Sequence, residues 1–194
     1  MKDIPLTMLL DEVKQCTQCA EHLPLGPRPV VQAASAAKLL IIGQAPGTRV
    51  HETGIPWNDP SGDRLRDWLK IDKTVFYDPT QIAIMPMGFC YPGRGTSGDL
   101  PPRPECAPKW HDAIRQYLPH VSLTLLIGDY AQRRYLSPKP RTLTQTVQAN
   151  PQWAPDFIAL PHPSPRNNLW LKKNPWFEET ILPNLQNRMD QLFD

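Results

Sequence analysis

The chain has 194 residues, 40% of them apolar, with a formal net charge of +2 and a pI near 8.4. That length suits one domain, residues 1–194, with a substantial core. The apolar share excludes a disordered chain, and so mild a charge excludes a nucleic-acid reading from bulk electrostatics alone.

Twenty-four prolines are over twice the usual share of about 5%, which points to rigid loops. Asp11 and Glu12 interrupt the only apolar run near the start, so no secretory signal is expected, and no stretch approaches a membrane span. The expectation is a soluble cytoplasmic protein, where four cysteines serve as metal ligands or free thiols rather than disulfides.

In chain order, Leu6, Leu9, Leu10 and Val13 have helical spacing and lead into Cys16-Thr17-Gln18-Cys19. A proline-stiffened connector follows. Leu39 to Ile42 is a continuous apolar run, the pattern of a central parallel strand covered on both faces. Gly43-Gln44-Ala45-Pro46-Gly47 stops it; this is either a tight turn or a loop whose backbone N–H groups face a ligand.

Asp63 to Ile71 reads as a short amphipathic helix, and Gln81 to Met87 as a second strand. Arg94 to Glu105 is a Gly/Pro-rich loop without periodicity. Ala107 to Leu118 is helical, Leu123 to Ile127 a third strand, and Tyr130 to Leu136 and Thr142 to Val147 further helices. Asp156 to Leu160 is a fourth strand and delivers Pro161-His162-Pro163-Ser164-Pro165-Arg166-Asn167-Asn168; Pro175 to Phe193 closes the chain as helix. Strands alternating with helices predict an α/β fold, a parallel sheet of four strands between helical layers.

Between Cys19 and Cys90 lie 70 residues, and between Cys90 and Cys106 lie 15. Four such thiolates suit tetrahedral zinc or an iron–sulfur cluster, and spacing does not choose between them.

GQAPG at Gly43 to Gly47 and HPSPRN at His162 to Asn167 together resemble the uracil-DNA glycosylase superfamily. Its iron–sulfur subgroup, family 4, carries G-E-A-P-G and H-P-S at these places. The resemblance covers nearly the whole chain and implies a three-layer fold with strand order 2-1-3-4, its two motif loops on adjacent strand ends. It implies that Cys16, Cys19, Cys90 and Cys106 hold a 4Fe–4S cluster. It also implies a monomer acting on damaged DNA, with no membrane partner.

The residue roles follow from the same resemblance. His162 matches the base-contacting histidine, a donor to the departing base. Ser164, Pro165, Arg166 and Asn167 match the loop that grips DNA, with Lys172 and Lys173, Arg94 and Arg103 adding a basic surface. Trp57 stands where the family stacks a phenylalanine on the flipped base; core burial is its other reading. Leu169 and Trp170 are either a wedge into the duplex or packing residues. Gly43, Ala45, Pro46, Gly47 and Asn58 complete the base-binding set.

Three positions depart from family 4. Gln44 replaces one glutamate and Val50 another, so both carboxylates are gone. Asp59, in Asn58-Asp59-Pro60-Ser61-Gly62, resembles the water-activating aspartate of family 5 and is equally suited to cap a helix. Pro86 stands where an asparagine reads uracil, so base reading falls to backbone groups of Met85 to Phe89, Met87 and Gly88 among them, or to Gln44 or Asn58. The expected function is a DNA-repair glycosylase, uracil by default; the alternative is a non-catalytic DNA- or nucleotide-binding module with the same fold and cluster.

Overall fold

The computed structural model describes residues 5–138, 140 and 142–193. The elements run α1 (Leu6–Lys14), β1 (Leu39–Ile42), α2 (Thr48–Thr53), α3 (Pro60–Leu69), α4 (Lys73–Phe76), β2 (Ile82–Ile84), β3 (Arg94–Gly95), β4 (Gly98–Asp99) and α5 (Cys106–Arg115). Then come β5 (Leu123–Ile127), α6 (Asp129–Tyr135), α7 (Leu143–Gln148), β6 (Phe157–Leu160), α8 (Asn168–Lys173) and α9 (Leu182–Phe193), the last preceded by a π-helical turn at Phe177–Ile181.

β2, β1, β5 and β6 form one sheet in that spatial order, all neighbours parallel, the order 2-1-3-4 among its own strands. Because side chains alternate along a strand, each strand feeds two cores. Leu39 and Ile41 point to one side with Ile82, Ile84, Leu123, Leu125 and Leu160, against Leu65, Trp68 and Leu69 of α3 and Leu182, Leu185 and Met189 of α9. Leu40 and Ile42 point to the other with Ala83, Leu126 and Ala159, against Leu9 and Val13 of α1 and Trp110 and Ile114 of α5. Burial on both faces is why these strands read as unbroken apolar runs.

Three features differ from expectation. The second strand is three residues rather than seven, although Met85 and Met87 N–H still donate to Ile41 O and Gly43 O beyond its end. Arg94 to Glu105 contains a small antiparallel hairpin, β3–β4. The motif loops leave β1 and β6, which are not adjacent: β5 lies between them.

The outer edge of β2 is covered by the connector. Gln32 exchanges two backbone hydrogen bonds with Ile84, at 2.9 and 2.7 Å, and its side-chain amide donates to Ile82 O at 2.8 Å. The unpaired edge is thereby closed.

Candidate functional site

Gly43 follows β1, and its loop runs to Gly47, where α2 begins. The chain then returns through Pro56 and Trp57 to α3. Trp57 takes φ +56°, the left-handed region that a bulky side chain rarely enters. Two contacts hold it there. Its carbonyl accepts from Arg66 Nη1 at 3.3 Å, and it lies so close over Gly62 that a Cβ at 62 would stand 1.7 Å from that oxygen.

Arg66 is itself buried, paired with Asp63 at 2.7 Å and bonded to the Tyr77 hydroxyl at 3.2 Å. The strain at Trp57 is thus held by a fixed cation beneath it. The indole lies over Gly43, where a Cβ would meet its ring at 2.8 Å, and against His162, with centroids 5.5 Å apart.

His162 follows β6. Ser164 N–H donates to its Nδ1 at 3.2 Å, which leaves the ring proton on Nε2. Burial holds its pKa below the ordinary value, with the nearby Asp59 carboxylate opposing, so the ring is a neutral N–H donor at pH 7. Asn167 Nδ2 donates to His162 O at 2.7 Å, and Arg64 Nη1 donates to Ser164 O at 3.2 Å, tying this loop to α3.

These loops enclose a cavity of about 480 Å³. Its lining brings together Gln44, Asp59 and His162 with Gly43, Ala45, Pro46, Gly47 and Trp57, and with Ser164, Arg166 and Asn167. Asp59 also caps α3, its Oδ1 accepting from Gly62 N–H at 2.8 Å, while the residue lines the cavity. Arg166 reaches across to the β3–β4 hairpin, Nη1 donating to Ser97 O at 3.5 Å.

Asn58, Met87, Gly88 and Pro165 do not line this cavity, and neither do the exposed Lys172 and Lys173 of α8. Of the backbone groups of Met85 to Phe89 expected to read the base, the donors are already engaged. Met85, Met87 and Gly88 N–H donate to the carbonyls of Ile41, Gly43 and Gln44 at 2.9, 2.9 and 3.0 Å, and Phe89 N–H to Cys106 Sγ at 3.3 Å. Pro86 has none, so no N–H of this segment is left for a ligand.

The other expected DNA contacts divide. Leu169 is 69% exposed, whereas Trp170 packs edge-on to Trp176 and Phe177 and bonds Thr144. Arg103 is taken up by an ion pair with Glu105 at 2.5 Å. Sequence reasoning missed Asp99, a second carboxylate lining the cavity, about 3.6 Å from where a Cβ of Gly47 would stand. Only its place in the hairpin reveals it.

The superfamily model described as uracil DNA glycosylase matches residues 30–186. The chain belongs to the uracil DNA glycosylase superfamily. Membership supports a glycosylase-type function and implies a DNA substrate. Among the described residues no helix is long and apolar enough to cross a membrane.

Cys16, Cys19, Cys90 and Cys106 line a second, far smaller cavity of about 30 Å³, beside Gly88 and Phe89. Three sulfurs have N–H neighbours: Lys109 Nζ at 3.9 Å from Cys16, the Arg28 backbone on Cys90, and the Phe89 backbone on Cys106. Cys19 Sγ donates to Glu105 Oε2 at 3.7 Å. Burial pushes Cys90 up to about 11 and Cys106 up to about 12, so both are thiols in the absence of a metal, and ligation would expel their protons. Among the described residues no three His, Cys, Asp or Glu side chains are arranged around a single metal ion.

Proposed function

We propose that this protein is a DNA-repair glycosylase that hydrolyses the N-glycosidic bond of a flipped, deaminated base, uracil by default, in the manner of the iron–sulfur families 4 and 5. The observation that carries the reading is the neutral His162, its tautomer fixed by Ser164, lining one cavity with the Asp59 carboxylate and the Trp57 indole.

The chemistry uses the chain's own groups. An extruded base stacks on Trp57 while the Gln44 amide, which has no side-chain partner among the described residues, pairs with its edge. Asp59, its Oδ1 engaged at the helix cap, orients water through Oδ2. The water oxygen bonds to the sugar carbon as the glycosidic bond breaks, the bonding pair leaves on the base, and the water's proton passes to the carboxylate. His162 Nε2–H donates to the base oxygen where negative charge grows. Ser164, Arg166 and Asn167 hold the flanking phosphates, and exposed Leu169 fills the vacated stack.

We assign the four cysteines to a 4Fe–4S cluster on the resemblance to family 4, with zinc as the alternative. They share one cavity and three have N–H neighbours, which suits ligating sulfurs. Bound there, the cluster would join the end of α1, the β2 exit and the start of α5, a structural task. Gln44 in place of glutamate favours the second reading, a binding module without catalysis. Single-turnover excision on DNA containing uracil, hypoxanthine or xanthine decides: release of a base supports the enzyme, and inactivity on all three supports the module.

A further inference from the structure

The wall at Pro86 has a buried support that the proposed chemistry does not use. Pro86 lines the base cavity, but its carbonyl is turned into the core, where His111 Nε2 donates to it at 2.9 Å. His111 lies in α5, is fully buried and does not line the cavity. Since a carbonyl only accepts, the ring proton sits on Nε2, and Nδ1 accepts from the Tyr135 hydroxyl at 2.6 Å. The imidazole lies nearly parallel to the rings of Phe89, at 5.7 Å and 18°, and Tyr135, at 6.0 Å and 21°. Two rings and two hydrogen bonds leave it one orientation.

We propose that His111 is a positioning residue for base selection: by holding the Pro86 carbonyl in the core, it keeps the wall formed by Val30, Ile84 and Pro86 free of hydrogen-bonding groups. The N–H groups of residues 85–89 are already committed, and Pro86 O shares its peptide with Met87 N–H, so the His111 bond on one side and the Gly43 bond on the other hold that peptide plane. Left orphaned, a buried carbonyl is costly, and a turn of the 86–87 peptide that loosens Met87 N–H from Gly43 O would bring it to the cavity, where a base can donate to it. Bases that present a donor there, such as the exocyclic amine of cytosine, would then be admitted. The wall therefore discriminates by what it withholds, and His111 acts on the base only through Pro86.

This inference rests on the glycosylase reading and deepens it, and its test separates the two. His111→Phe keeps the ring stack and removes both hydrogen bonds; His111→Gln can still donate to Pro86 O and accept from Tyr135. The measurement is binding of duplexes bearing uracil, cytosine or an abasic site at one position, with amide exchange at Met87 and Gly88 followed in the free protein. The expected result is that His111→Phe narrows the uracil-over-cytosine preference by about tenfold. It should leave abasic-site affinity unchanged and speed exchange at both amides, while His111→Gln restores most of the preference. A wild type blind to the base overturns the glycosylase reading and this inference together. A wild type that discriminates, beside a His111→Phe that discriminates equally well or one that loses only thermal stability, overturns this inference alone.

Discussion

The motif-loop cavity and the cysteine cavity share one segment, residues 85–90, and use it in opposite ways. Toward the first, the segment presents Pro86 with no donor to offer; toward the second, it presents Cys90 and the Phe89 N–H that donates to Cys106. The first encloses about 480 Å³ and leaves the Gln44 amide and Asp99 carboxylate without side-chain partners among the described residues. The second encloses about 30 Å³ and gives each of its four sulfurs a hydrogen-bond neighbour. Unspent polar groups in a large space suit a ligand that comes and goes. Spent groups in a small one suit an occupant that stays.

The comparison breaks most completely at the cysteines. Cys106→Ser should abolish the visible absorption of anaerobically purified protein and leave most of the chain insoluble, because the start of α5 and the β2 exit lose their common anchor. Wild type without such absorption, and with stoichiometric zinc by metal analysis, would replace the cluster with zinc.

On the other side, His162→Ala should cost roughly 3 to 4 kcal/mol of transition-state stabilisation, on the order of a hundredfold to a thousandfold in single-turnover excision. Asp59→Asn should slow the same step by about tenfold to a hundredfold while leaving DNA affinity and thermal stability intact, since asparagine caps a helix about as well as aspartate. Equal rates for wild type and both variants would move the chemistry elsewhere in the cavity, with Asp99 next to be substituted.

Acid sharpens the contrast more gently. Burial lowers His111 from 6.5 to about 4 and moves His162 in the same direction. The unfolded chain therefore takes up these protons first, so this contribution is fully present above about pH 6.5 and is lost as pH falls toward 4. Melting temperatures across that range should fall with acid, and His111→Gln should flatten part of the slope. The smallest effect belongs to the exposed pair on α8: Lys172→Ala with Lys173→Ala should reduce the salt dependence of log K for DNA by about two, without changing base preference.

How much of this was legible beforehand depends on whether a feature lives in one stretch or between stretches. The strands were readable because burial on both faces leaves an unbroken apolar run, and the motif loops because glycine and proline punctuate them. β5 lying between β1 and β6 came from the family resemblance and its order 2-1-3-4, since no local pattern reports which strands become neighbours. Short helices α2 and α4 lack a full amphipathic repeat, and hairpin β3–β4 is two residues a side, too brief for alternation to register. Asp59 was visible as a helix cap because capping is local; Asp99 and His111 were not, because each takes its place only through what folding sets beside it.

The crowding at Gly62 has a consequence for how such a chain can drift. With a Cβ there destined to stand 1.7 Å from Trp57 O, no side chain of any kind fits while the tryptophan keeps its left-handed backbone. Residue 62 cannot change at all without the loop being rebuilt around it. A related sequence with alanine at that position would therefore announce a differently shaped base pocket, however faithfully it kept the histidine and the proline-rich loop.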